Sequence, residues 1–199
     1  MSCTVSTLEE GEKMKALVLS DVAYMNAAHQ MIIQTLTDYL ASYGMTVETE
    51  TVSQETITDC IGCFGCWTKT PGECAIQDDL FVINRKMMLS DFVVYLCPIV
   101  YGQCAANMKT AIDRWLPNML PFFITRRDGS TMHPARYESY PSQLMIGYSD
   151  HFDESEAQLF SDITLKHREG VQVVLWHDSV DGLLSALDKI ELKRVEGRL

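Results

Sequence analysis

The chain has 199 residues, 47% of them hydrophobic and 22% charged, with no break in composition, which is enough for one sizeable core and points to a single domain. Its formal net charge of −11 opposes nucleic-acid binding, which needs clustered Lys and Arg, and suits either an ordinary acidic protein or an electron carrier that docks on basic partners. Seven cysteines, odd in number and clustered, imply reduced thiols or metal ligands, and no run is apolar enough for a leader or a membrane span, so the expected location is the cytoplasm.

Residues 1–14 read as an N-terminal extension and 15–199 as the domain. Lys15 to Ser20 is an apolar run too short for a helix and predicts a buried parallel strand. Met31, Ile32, Leu36, Tyr39 and Leu40 fall at helical spacing, so a helix is expected from Asn26 to Tyr43, with Asn26 as N-cap and Gly44 just past its end. Met45 to Val52 is a strand whose charges place it at a sheet edge. A cysteine loop spans residues 58–78, and Asp78 or Asp79 caps a helix that reaches Leu89. Phe92 to Cys97 is the most β-prone run, which Pro98 should end because proline cannot donate to a ladder. There follow a helix from Ala105 to Trp115, a strand at Leu144 to Gly147, a helix from Glu154 to His167, a strand at Val171 to Trp176 and a helix from Asp181 to Leu192. Residues 125–141 form a polar insertion whose Arg126, Arg127 and Arg136 make it the one locally basic stretch, suited to solvent, a neighbouring subunit or a nicotinamide phosphate. Strands alternating with helices predict an α/β fold with a doubly wound, five-stranded parallel sheet.

Such sheets bind ligands beyond the carboxyl ends of their strands, where the strand order reverses. Three loops lie there: Ser20 to Ala27, Pro98 to Cys104, and Gly147 to His151. The first precedes a helix and is a natural phosphate seat, and the other two would flank a flat ring. The cysteine loop reads Cys60-Ile-Gly-Cys63-Phe-Gly-Cys66 with Cys74 beyond, a C-x2-C-x2-C-x7-C spacing. Gly62 and Gly65 allow the chain to wrap so that the thiols face one centre. Its third repeat favours an iron-sulfur cluster over zinc, while reduced thiols that bind nothing are the structural alternative. Asp113-Arg114 reads as a helix-surface or subunit-interface ion pair.

The run Asp59 to Cys66, then Gly72-Glu-Cys-Ala-Ile-Gln-Asp-Asp-Leu80, resembles the cysteine loop of the NADPH-dependent FMN reductase family, in the branch of iron-sulfur flavoproteins. Cys97-Pro-Ile-Val-Tyr-Gly102, with Met108-Lys109 and Asp113-Arg114, is similar to the family's Pro-Val-Tyr-Phe-Gly loop and Leu-Lys…Asp-Arg helix. The resemblance implies a flavodoxin-like sheet of order 2-1-3-4-5 and a homodimer or homotetramer. FMN would lie on Ser20, Asn26 and Ala27 at its phosphate and on Pro98, Ile99, Val100, Tyr101, Gly102 and Gln103 at its ring, with Tyr148 beside it. Electrons would come from NAD(P)H or a reduced carrier and leave to a small acceptor or redox protein. In cluster-bearing members a [4Fe-4S] centre would be held by Cys60, Cys63, Cys66 and Cys74, although relatives also keep such cysteines without one. One departure stands out. Met25 replaces a glycine and Ala27 a threonine of the phosphate loop, and Asp21 adds a carboxylate where an anion should bind. If Asp21 points inward, phosphate affinity falls, and a non-enzymatic electron carrier or redox or metal sensor with a degenerate flavin site becomes the competing expectation.

Overall fold

A computed structural model of the chain describes residues 13–149, 151, 153–167, 170–192, 195 and 196. The extension at 1–14 therefore lies outside the described residues apart from 13 and 14, as does Asp150 of the third loop. Strand β1 is Lys15–Asp21, helix α1 Ala27–Ser42, β2 Thr46–Val52, α2 Gly65–Thr68, α3 Asp79–Leu89, β3 Phe92–Val100, β4 Gln103–Cys104 and α4 Ala106–Asp113. The second half adds β5 Ile124–Thr125, β6 Thr131–Met132, β7 Ser139–Tyr140, β8 Ser142–Tyr148, α5 Glu154–His167, β9 Val171–Leu175, α6 Val180–Leu187 and β10 Val195–Glu196.

The main sheet runs β2-β1-β3-β8-β9, all parallel, which is the order 2-1-3-4-5 when its long strands alone are counted. Both faces are covered, so residues of opposite parity enter different cores. Ala16, Val18, Phe92, Val94, Leu144 and Ile146 pack with Ile32, Leu36 and Leu40 of α1 and Leu183 and Leu187 of α6. Leu17, Leu19, Val93, Tyr95 and Met145 pack instead with α3, α4 and α5 through Ile83, Met87, Met108, Ile112 and Phe160. This is why the inner strands are continuously apolar, whereas β2, at the edge, is largely exposed.

Two expectations need correction. Pro98 does not end β3, which continues to Val100. Pairing with β1 stops at Tyr95, so beyond that point the strand has no β1 ladder to interrupt, and Pro98 sits opposite Tyr148 of β8. Val100 then pairs antiparallel with Gln103 through a two-residue turn in which Tyr101 and Gly102 have φ of 50° and 74°, as a type I′ hairpin turn demands. The last helix closes at Leu187, five residues before the expected Leu192, after a Ser179 side-chain cap on the Gly182 amide. The polar insertion at 125–141 carries short antiparallel pairings, β5 with β6 and β7 with β10.

Candidate functional site

The strand order reverses between β1 and β3, and the first loop leaves β1 at that point. Ser20 and Asp21 end β1 fully buried, and a short 3-10 turn at Val22–Tyr24 leads to Asn26. Asn26 caps α1 by accepting the His29 amide at 2.9 Å, as its side-chain type predicts, and exposed Ala27 starts the helix. Asp21 points inward. Its Oδ1 accepts the Ala23 amide at 3.0 Å and the Asn107 side-chain amide of α4 at 2.8 Å. The Ser20 hydroxyl and His29 Nε2 share a hydrogen bond of 2.9 Å beneath the loop. Burial pushes the His29 pKa down, so its neutral form is favoured.

Of the ring-side residues, Pro98, Ile99 and Gly102 are buried, Val100 is partly so, and Gln103 is exposed. Tyr101, 85% exposed at the tip of the turn, offers an open aromatic face. Gly102 allows that turn to lie against α5, because a Cβ there would fall 2.6 Å from Leu159 Cδ2. Tyr148 is buried and its hydroxyl donates to the Tyr24 carbonyl at 3.1 Å, so it braces the first loop and turns no face outward.

The thiol loop lies on the same side of α4. Gly62 has the left-handed φ expected of a wrapping glycine, at 65°. Gly65 does not: Phe64 takes the left-handed turn instead, at 55°, and Gly65 opens α2 where a Cβ would sit 3.4 Å from Cys63 Sγ. The Gly65 amide points at Cys63 Sγ and the Ile76 amide at Cys74 Sγ, each at 3.5 Å. Cys60 and Cys63 are exposed, and Cys66 and Cys74 half-buried. Burial raises the Cys66 pKa, and the charges of Cys74, Cys60 and Cys63 raise it further. Among the described residues no group of three or more Cys, His, Asp or Glu is placed to hold a metal ion. Cys97 is buried apart from them, its thiol directed at the Tyr95 carbonyl.

Arg114 is where sequence reasoning went wrong. Asp113 pairs with Lys109, one turn back, while Arg114 turns inward to a side chain only 3% exposed. It donates to Asp78 Oδ2 at 2.5 Å, the Thr58 carbonyl at 2.7 Å, the Ile76 carbonyl at 3.1 Å and Cys74 Sγ at 3.4 Å. Asp78 also accepts the Thr58 amide at 2.7 Å, so the two ends of the cysteine loop are tied at one neck. Burial opposes the Arg114 charge, but Asp78 and Cys74 outweigh it and its pKa ends above the ordinary arginine value. The missed signal was local: residues i and i+1 of a helix do not face each other. Asn107, Thr110 and Arg114 instead share one face, holding Asp21, Asp59 and Asp78 respectively.

The model of the NADPH-dependent FMN reductase family matches residues 14–123, more than half of the chain and both loops just described. The chain belongs to that family. Among curated relatives, it is 40% identical over 78 residues to an iron-sulfur flavoprotein of Archaeoglobus fulgidus, covering 39% of this chain and 34% of the relative. It is 25% identical over 119 residues to an iron-sulfur flavoprotein of Methanocaldococcus jannaschii, covering 60% and 61%. The chain thus spans from a third to three fifths of the length of these two relatives. Among solved structures it is similar to an NAD(P)H:quinone oxidoreductase from Methanothermobacter marburgensis, with a TM-score of 0.61 and 12% identity over 89% of this chain and 94% of that one. At that identity the likeness establishes the flavodoxin-like fold alone. No helix among the described residues is long and apolar enough to cross a membrane.

The two sites differ in how they fit their groups. The thiol loop fits an iron-sulfur cluster by its chemistry, since its donors are all sulfur and amide and guanidinium N–H groups point at two of them. The flavin site is divided. The exposed turn at Tyr101 fits a flat ring, whereas the seat that would take FMN's phosphate already holds a carboxylate on one of its amides.

Proposed function

We propose that this chain is a flavin-dependent oxidoreductase with an iron-sulfur relay, passing electrons from NAD(P)H or a reduced carrier to a small acceptor or redox protein. The observation that carries it is the single face of α4. Asn107 holds the switch-point loop and Arg114 holds Cys74, and seven residues of helix separate them by only about 10 Å. A flavin site and a thiol loop so placed form one redox unit. A flavin supplies exchange between hydride donors and one-electron carriers, and a [4Fe-4S] cluster stores single electrons.

The chain's own residues bind and orient. Cys60, Cys63, Cys66 and Cys74 would hold the cluster. The positive charge of Arg114 and the Gly65 and Ile76 amides would stabilise negative charge on the ligating sulfurs of Cys63 and Cys74. The Tyr101-Gly102 turn presents the ring face, and no protein acid or base is needed. FMN is the flavin that the family's name supplies, and a homodimer or homotetramer in the cytoplasm is part of the same proposal.

The inward carboxylate of Asp21 favours a second reading, an electron carrier or sensor without flavin. An absorption spectrum of protein purified without oxygen separates the two, with iron and acid-labile sulfide assayed on the same sample. Flavin bands over a broad cluster shoulder, with about four irons per chain, are the expected result. A cluster without flavin, in protein that also takes up no added flavin, would establish the second reading.

A further inference from the structure

The first loop holds more buried polar chemistry than capping a helix requires. Asp21, His29 and Asn107 are 0%, 4% and 7% exposed, and each leaves one polar atom without a hydrogen-bond partner: Asp21 Oδ2, His29 Nδ1 and Asn107 Oδ1. Buried polar groups are almost always paired, so three together beneath one helix start mark a seat made for something. Two of the three are pure acceptors. A phosphate dianion brings only further acceptors and two negative charges, whereas a hydroxyl brings a donor and none.

Three of the donors around the seat are also committed. Asp21 takes the Ala23 amide, Asn26 takes the His29 amide, and Asp21 also takes the one side-chain amide that α4 extends toward the loop. No Lys or Arg lies between Ser20 and His29 to offset the carboxylate, and His29 is kept neutral by its burial. Asn26 caps the 16-residue helix α1, and Asp21 sets its own negative charge on the loop just before it, at the Ala23 amide.

We infer that Asp21 is an internal substitute for the phosphate and sets ligand specificity, so that this site takes a flavin ending in a neutral ribityl hydroxyl in preference to one ending in a phosphate dianion. The inference rests on the reading that the switch point binds a flavin. It assigns Asp21 as a specificity residue and riboflavin-level compounds as the ligand class.

The test is a fluorescence titration of flavin-free protein with riboflavin and with FMN, for the native chain and for Asp21→Asn, which keeps the side-chain shape and removes its charge. Native protein should bind riboflavin at least about tenfold tighter than FMN, and Asp21→Asn should raise FMN affinity by about tenfold while leaving riboflavin within about twofold. Asp21→Ser repeats the comparison, and a circular dichroism melt establishes that each variant is folded. Equal or tighter binding of FMN by the native chain overturns the inference and leaves the flavin reading standing, as does an unchanged FMN-to-riboflavin ratio in both variants. If neither flavin binds any of the three proteins, the flavin reading fails and the inference falls with it.

Discussion

Arg114→Met should be among the most damaging single changes that leave the core's volume nearly intact. Arginine and Asp78 are 3% and 13% exposed as side chains, so neither charge is screened by solvent. Methionine would leave Asp78 with the Thr58 amide alone, would remove the guanidinium donors of the Thr58 and Ile76 carbonyls, and would leave Cys74 with the Ile76 amide alone. Breaking a buried pair from one side costs about 3–5 kcal/mol because a charge is left behind. In a domain of this size each kcal/mol moves the melting temperature by about 2–4 °C, so the loss should be roughly 6–20 °C. Urea unfolding followed by far-ultraviolet circular dichroism measures the first figure and a thermal melt the second. Asp78→Asn paired with Arg114→Met completes a double-mutant cycle whose coupling should exceed about 1.5 kcal/mol, since contacting charges are not additive. A single-mutant loss below about 1 kcal/mol, or two additive losses, would show that the Arg114 clamp does not stabilise the fold in the way its hydrogen bonds suggest.

Gly102→Ala should cost about 1–3 kcal/mol, because the residue has φ of 74° and the new Cβ would meet Leu159 at 2.6 Å. Adding Leu159→Ala removes the two closest contacts but keeps the Leu159 Cβ at 3.1 Å and the strained backbone, so urea unfolding of the pair should recover only part of the loss. The depressed pKa of His29 predicts a pH dependence with a definite sign. The unfolded chain takes up the proton near the ordinary value of 6.5 and the folded chain only below it, so the His29 contribution is complete above 6.5 and is lost as the pH falls. The unfolding midpoint should therefore drop more steeply from about pH 7.5 to about pH 5.5 in the native chain than in His29→Gln, and parallel profiles would refute it.

Much of the fold was legible because the inner strands announce themselves. Ala16 to Leu19 and Phe92 to Leu96 are buried on both faces, and a run of that kind between helical periods leaves few alternatives to a parallel sheet. The departures arose where tertiary context overrules a local rule. Pro98 is tolerated because the β1 ladder has already ended at Tyr95, which no inspection of residues near 98 reveals. Asp21 was visible as an intruder in the phosphate loop, but its direction was set by Asn107, 86 residues away. Tyr148 likewise could have faced a ring or the core, and the Tyr24 carbonyl decided for the core. Arg114 alone could have been read better, from the spacing of Asn107, Thr110 and Arg114 rather than from the adjacent Asp113.

That spacing also explains why α4 holds together. A helix of eight residues is too short to persist on its own, because nucleation costs more than so few hydrogen bonds return. Its stability must come from what it touches. Met108, Ala111 and Ile112 anchor it to the sheet, while Asn107, Thr110 and Arg114 reach Asp21, Asp59 and Asp78. The dependence runs both ways: the helix needs the two loops, and each loop takes its position from the helix. A change that loosens the neck of the cysteine loop therefore removes support from the far end of α4, where Asn107 holds Asp21. Amide hydrogen exchange on Arg114→Met should show this as faster exchange at Ala23, whose N–H bonds Asp21, and at Gly65 and Ile76 in the thiol loop. Faster exchange confined to the thiol loop would mean that the two halves of the site share a helix without sharing its stability.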